Sequence, residues 1–281
     1  MIQKIKNISD LVLRLQGIDI SKYEQSFLKN SIQKRIKDTS CDSFNEYFIF
    51  IEQSDEEAKS FVDSLHNSYS DFFRNPLTFA VLERIILPAL VLRIAGSKLK
   101  KEIRIWSAAT AAGQEAYSLA ILLEELKNGE PNKFAYRIFA TDQCDVQVNK
   151  ARIGNYSPDE LSNLNMKRLN KWFLKEGEIY TVKQELKENI DFSVFDLFSE
   201  QLSSPPASIF GGFDIVICAN LLFYYKNDYR EMIIKKIYSS LVKGGLLITG
   251  ESEREILMNH NCEEIFPRSA IFRVLNRTPI F

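Results

Sequence analysis

The chain has 281 residues, 45% of them hydrophobic and 26% charged, with a formal net charge of −1. That length suits one large domain or two unequal ones, and the near-neutral balance offers no electrostatic case for a nucleic-acid or membrane partner. The four cysteines (Cys41, Cys144, Cys218, Cys262) are scattered and only two histidines are present, so a zinc site is not expected and free buried thiols in a reducing compartment are.

The N-terminus, MIQKIKNISD, lacks the apolar core of a signal peptide. The most apolar long stretch, Leu77–Ala95, contains Glu83, Arg84 and Arg93, which argues against a membrane span. A cytoplasmic location is expected, without membrane insertion. Residues 1–70 read as helices, with apolar positions at helical spacing in Ile8–Leu15, Tyr23–Ile36, Phe44–Ile51 and Ala58–Leu65. Ser21 and Asp42 or Ser43 are candidate N-caps. The second helix carries Lys29, Lys34, Arg35 and Lys37 near its end; positive charge there complements the helix dipole, and the functional alternative is a docking face for an acidic partner.

Residues 66–76, HNSYSDFFRNP, break the helical pattern and close on the turn signal Asn75-Pro76. The organisation expected is a helical domain over 1–70, a linker over 71–82 and a second domain over 83–281. Arg74 follows two phenylalanines. It is either a surface residue beside a hydrophobic plug or a guanidinium at an interdomain cleft, able to grip a carboxylate bidentately.

Leu77–Ile94 is helical and should be kinked or split by Pro88. Strands and helices then alternate. Strands are expected at Ile103–Trp106, Tyr136–Ala140, Ile190–Val194, Phe213–Cys218 and, after the turn Gly244-Gly245, Leu246–Thr249. Helices are expected at about Glu115–Leu126, Val146–Arg152, within Pro158–Lys175 and at about Asp228–Leu241, with a β-prone piece at Ala270–Leu275. This is an α/β pattern with a mostly parallel sheet.

The chain is organised around residues 103–120, IRIWSAATAAGQEAYSLA: a strand, a tight loop of small residues and the start of a helix. In an open parallel sheet such a turn holds a nucleotide-like ligand outside the strand's carboxyl end. Small residues such as Ala109 and Gly113 let the backbone approach the ligand closely. The pyrophosphate fingerprint GxGxxG is absent. One glycine followed by the carboxylate Glu115 suits a ligand with an amino-acid end and a ribose, as S-adenosylmethionine (SAM) has; the bland alternative is an ordinary βα turn. Further polar groups end the other strands: Asp142 after the second, where a carboxylate can accept ribose hydroxyls; Asp196-Leu197 after the third, where an adenine amino group could donate; and Asn220-Leu221 after the fourth, followed by Tyr224. Any single Asp is more simply an N-cap, but acceptors at four successive strand ends point to a ligand crevice.

With these pieces in order the chain resembles the CheR chemotaxis receptor methyltransferases, which methylate glutamate side chains of chemoreceptors from SAM. The resemblance rests on NSYSDFFRN (67–75), IWSAATAAGQEAYSLA (105–120), IFATDQCDVQVNKARIGNYS (138–157), VKQELKENIDFSVFDLF (182–198), FDIVICANLLFYY (213–225) and LVKGGLLITGESE (241–253). It implies a Rossmann-like SAM-dependent methyltransferase sheet ending in an antiparallel strand, preceded by a small all-helical domain that helps recognise the receptor. It also implies SAM as cofactor with S-adenosylhomocysteine as product, and the cytoplasmic domain of a chemoreceptor as protein substrate. Carried over, Glu115 and Asp142 hold the amino-acid end and ribose side of SAM, Asp196 and Leu197 sit by the adenine, and Asn220 lines the pocket. Arg74 and Tyr224 orient the substrate glutamate. No metal is required, and a monomer is expected.

Several positions depart from the family pattern: Gln114 stands for the first acid of G-E-E-P-Y-S, Ala219 for an arginine, Glu251 for a histidine, and Ser31 for a common arginine. Trp172–Val182 carries no clear hairpin signal, so the small β-subdomain with which some members hold a receptor's C-terminal peptide is not expected. A methyltransferase of another acidic protein or carboxylic acid stays open, as does a degenerate SAM-binding interaction module; an NAD-dependent oxidoreductase is disfavoured by the missing glycine fingerprint.

Overall fold

The computed structural model describes residues 2–65, 69–96, 102–129, 134–208 and 212–275. The chain divides into two compact units, Met1–Asn67 with Leu222–Glu231, and Ser68–Leu221 with Met232–Phe281.

In the first unit, helices α1 (Ile2–Gln16), α2 (Gln25–Asp38), α3 (Phe44–Gln53) and α4 (Asp55–Leu65) turn their apolar stripes inward. Ile8, Val12, Leu28, Ile32, Ile51 and Phe61 are buried, and side chains of this kind stabilise a fold by roughly 1.5–3 kcal/mol each. Ser43 caps α3 by accepting from the Glu46 N–H at 3.2 Å. Ser21 does not cap α2, whose N-cap is Glu24. Its N–H instead goes to the Asp19 carboxylate at 2.8 Å, an Asx turn that delays the helix by several residues. Arg35 is not part of a solvated basic face: it pairs with the buried carboxylate of Glu57, donating from Nε at 2.9 Å, and the Tyr47 hydroxyl donates to the same carboxylate at 2.8 Å. Segment 222–231 joins this unit through Glu24 N–H to Tyr224 O at 2.8 Å, the stacked rings of Tyr23 and Tyr225, and the Arg230–Glu24 ion pair at 2.9 Å.

The second unit opens with α5 (Pro76–Val81), a π-helical turn over Leu82–Ile86 and α6 (Leu87–Ala95). Pro88 has no N–H for the preceding turn, and the helix answers with the wider π turn just before it. There follow β1 (Glu102–Ser107), α7 (Gln114–Gly129), β2 (Ala135–Asp142), α8 (Asp145–Ile153), β3 (Asn155–Tyr156) and α9 (Met166–Trp172). Next come β4 (Phe173–Glu176), β5 (Ile179–Val182), α10 (Gln184–Lys187), β6 (Ile190–Val194), β7 (Phe213–Cys218) and α11 (Asn227–Ser240). The chain closes with β8 (Leu241–Thr249), α12 (Arg254–Met258), β9 (Cys262–Glu264) and β10 (Ile271–Val274).

Seven strands form one sheet in the order β6-β2-β1-β7-β8-β10-β9. Pairing is parallel from β6 to β8 and antiparallel at β10 and β9. β7 is buried along its whole length, as a central strand covered on both faces must be. Strand order reverses between β1 and β7, so the crevice of such a sheet opens at their carboxyl ends.

Two expectations are corrected and one strand is added. β8 begins at Leu241 rather than Leu246, because a register shift opposite Phe213–Ile215 and a left-handed Gly244 (φ +75°) take up the Gly-Gly pair inside the strand. The three-residue β9 adds an antiparallel edge beyond β10 that short periodicity could not reveal. Finally, Trp172–Val182 does hold a hairpin: β4 and β5 pair from Phe173↔Val182 to Glu176↔Ile179, and β3 completes a small antiparallel sheet in the order β3-β5-β4. The tight turn is Gly177-Glu178, with Gly177 at φ +61°. A Gly-X pair between strands is a hairpin signal, here masked by the surrounding charges. The ground for expecting no β-subdomain is therefore removed. Among the described residues no helix is long and apolar enough to cross a membrane.

Candidate active site

The loop leaving β1 is hung across its two neighbouring strands. Ala108 N–H donates to Ile217 O at 2.8 Å, on β7, and Thr110 N–H to Thr141 O at 2.9 Å, on β2. Gly113 then turns the chain into α7 at φ +93°, and a Cβ added there would lie 2.9 Å from the Ala151 Cβ; conformation and close approach both require glycine. Tyr156 donates its hydroxyl to Ala112 O at 2.5 Å, and Tyr117 donates to Ala151 O at 2.7 Å. Gly154, left-handed at φ +69°, leaves room where a Cβ would come within 3.1 Å of the Tyr117 hydroxyl. The G-x-E-x-Y-S and A-R-x-G-x-Y segments thus brace each other. The FFR segment joins them: Phe73 N–H donates to Ser118 Oγ at 2.9 Å, and Phe72 stands edge-on to Tyr156 and Phe173 at ring distances of 5.0 and 5.5 Å.

Glu115, in the first turn of α7, is half-buried and accepts from the Ser107 hydroxyl at 2.6 Å. Burial pushes its pKa up to about 7, opposed by the Ser107 hydrogen bond and the Arg74 charge and reinforced by Glu253. Arg74 donates from Nη1 to Tyr69 O at 2.9 Å, and its guanidinium lies 5.1 Å from the centre of the Tyr69 ring. Arg74 forms no ion pair among the described residues, although its charge is felt by the Glu115 carboxylate.

Asp142 accepts from Ala111 N–H at 2.9 Å through Oδ2 and from Cys144 N–H at 3.0 Å through Oδ1. It therefore fixes the β1–α7 loop and the start of the β2–α8 connection, a positioning role that sequence reading did not anticipate. Asp196 is exposed and accepts from Phe198 N–H at 2.9 Å, while Leu197 is buried. Asn220 adopts the left-handed conformation (φ +60°) at the end of β7, with Leu221 and Ala109 half-buried. Tyr224 belongs to the first unit, its ring 4.7 Å from Phe27. Of the departures, Ala219 packs against the core, whereas Glu251 is exposed and adds to the charge around Arg254.

Three buried polar atoms of this region, Thr110 Oγ1, Gln114 Oε1 and Thr249 Oγ1, have no hydrogen-bond partner among the described residues. Such orphans call for an account. Here they lie on the β1–α7 loop, at the start of α7 and at the end of β8, where a polar ligand with an amino-acid end and a ribose would satisfy them. Together with the glycine cradle and Glu115, they fit SAM. Thr110 is not among the residues expected from sequence, and Gln114 enters there only as a departure from the family pattern; the signal available is a small polar residue and an amide at a turn that has to meet a ligand.

A switch point between β1 and β7, a small-residue loop lacking a phosphate fingerprint and acceptors at successive strand ends define a Rossmann-like methyltransferase domain. The CheR methyltransferase SAM-binding domain matches residues 68–270, and the CheR methyltransferase all-alpha domain matches residues 3–66. The chain belongs to the CheR methyltransferase family and is a SAM-dependent methyltransferase. It is 29% identical to a chemotaxis protein methyltransferase of Listeria innocua over 87% of each chain. It is 28% identical to that of Escherichia coli over 88% of this chain and 83% of the relative. It is 29% identical to that of Borreliella burgdorferi over 94% and 92%.

Proposed function

We propose that the enzyme transfers a methyl group from SAM to glutamate side-chain carboxylates in the cytoplasmic domain of a chemoreceptor. The observation that carries this reading is likeness along nearly the whole chain, including the helical unit, to proteins named chemotaxis protein methyltransferases. Bound SAM supplies an activated methyl group on a positively charged sulfur. Glu115 faces the cofactor's ammonium, Asp142 its ribose, and Asp196 and Leu197 its adenine. Asn220 and Leu221 line the pocket, while the backbone at Ala109 and Gly113 lets the ligand come close.

A substrate glutamate is already ionised near neutral pH, so no side chain needs to act as a general base. The protein's task is alignment: a carboxylate oxygen must be held on line with the methyl group at near-attack distance, which can supply several kcal/mol. Arg74 is suited to grip one edge of the carboxylate, and the resemblance assigns Tyr224 the same orienting role. The grip must leave the attacking oxygen exposed, since tightening the ground state alone adds nothing to the rate. The enzyme acts, on this reading, as a cytoplasmic monomer.

The test uses methyl-labelled SAM and the cytoplasmic fragment of a chemoreceptor from the same source. The expected product is a base-labile label released as methanol. Arg74→Ala should retain SAM binding and lose transfer by about 10²-fold, the scale of a misplaced reactant; unchanged turnover would remove Arg74 from the mechanism. Ala219, at a position where the family resemblance implies an arginine, favours one second reading, a different acidic acceptor. Label appearing on another protein or on a small carboxylic acid, with none on the receptor fragment, would establish it.

A further inference from the structure

The Glu253 side chain is fully buried next to the end of β7, where a buried carboxylate is costly unless it is well bonded. Its Oε2 accepts from two backbone groups on different strands' ends: Asn220 N–H at 2.7 Å and Gly250 N–H at 2.8 Å. Asn220 is held left-handed, a conformation asparagine adopts more readily than other non-glycine residues. Gly250 has a matching constraint. A Cβ on it would sit 2.6 Å from Asn220 Nδ2 and 3.0 Å from Asn220 N, so the missing side chain makes the space in which the asparagine amide lies.

We propose that Glu253 is a positioning residue for SAM binding: its carboxylate clamps the Asn220 backbone to Gly250 and so aims the Asn220 amide into the crevice. The inference rests on the reading that Asn220 lines the cofactor pocket. It adds the group that puts Asn220 there, supplied by the turn after β8 rather than by β7 itself. Glu253 acts on the site in a second way. Its negative charge raises the proton affinity of Glu115, alongside the burial that dominates the shift, while the charge of Arg74 opposes it; the Cys218 thiol feels both carboxylates.

Two variants separate reach from charge. Glu253→Gln keeps the size and loses the charge and one acceptor. Glu253→Asp keeps the charge and is too short to hold both N–H groups. SAM affinity is measured by calorimetry across pH for each, alone and in an Asn220→Gly background, in which the left-handed backbone is retained without the amide, with folding checked by thermal melting. Each variant should weaken binding about tenfold alone and cost little more once Asn220 is glycine. Glu253→Gln should also move the pH midpoint of binding downward, and Glu253→Asp should not. Losses that add in full to that of Asn220→Gly, or variants that bind as the wild type does, would overturn the proposal. If Asn220→Gly alone leaves affinity unchanged, the Asn220 assignment fails first and this inference falls with it.

Discussion

Glu115 answers to two environments. Its carboxyl is half-buried, and burial pushes its pKa up to about 7; if it faces the ammonium of SAM, as proposed above, the ionised form is favoured there. Below about 7 binding must therefore expel a proton, so affinity weakens as pH falls, by up to about tenfold per unit. Above about 8 the cofactor's own amino group begins to deprotonate, and affinity falls again. Calorimetric titration from pH 5.5 to 8.5 should show a maximum between these limits, and Glu115→Gln should bind weakly with the acid limb flattened. A wild-type affinity independent of pH below 7 would contradict the assignment of Glu115 to the ammonium.

At the scale of elements, the start of α7 is where three sequence motifs become one structure. Gly113, Tyr117, Ser118, Tyr156 and Phe72 interlock by the contacts described above. Gly113→Val forces a branched side chain into a left-handed position against Ala151 and should cost about 1–3 kcal/mol. Phe72→Ala should cost about 3–5 kcal/mol by opening a cavity between Tyr156 and Phe173. Both are read from denaturant unfolding; a loss under 0.5 kcal/mol in either, on the scale of a surface change, would mean that the motifs are not braced this way. The same elements show what the sequence made legible. Long periodic helices and apolar strands bounded by Gly and Asp could be read directly, because burial imposes its period on them. The β4–β5 hairpin could not, because Leu174, Ile179 and several charges point to solvent and blur the alternation. Ser21 does not cap because α2 begins only at Gln25, with Glu24 at the N-cap position, a boundary that residue type alone does not decide.

For the molecule as a whole, the strand-end rule leads to Glu115, Asp142, Asp196 and Asn220 following four strands in the parallel part of one sheet. What it could not supply was the division of labour among them. Asp142 fixes the β1–α7 loop; the Asn220 backbone is bonded to Glu253, thirty-three positions further along the chain. Those couplings come from side chains reaching backbone N–H groups across strands, and spacing carries no trace of them. On the proposed function, the crevice between β1 and β7 holds SAM on Glu115 and Asp142. The decisive experiment is calorimetric titration of the full chain with SAM and S-adenosylhomocysteine, wild type against Asp142→Asn. Both ligands should bind the wild type in the micromolar range and bind the folded variant at least about tenfold more weakly, as losing a charged acceptor implies. A folded wild-type protein that binds neither, or a variant that binds as tightly as the wild type, would rule this site out.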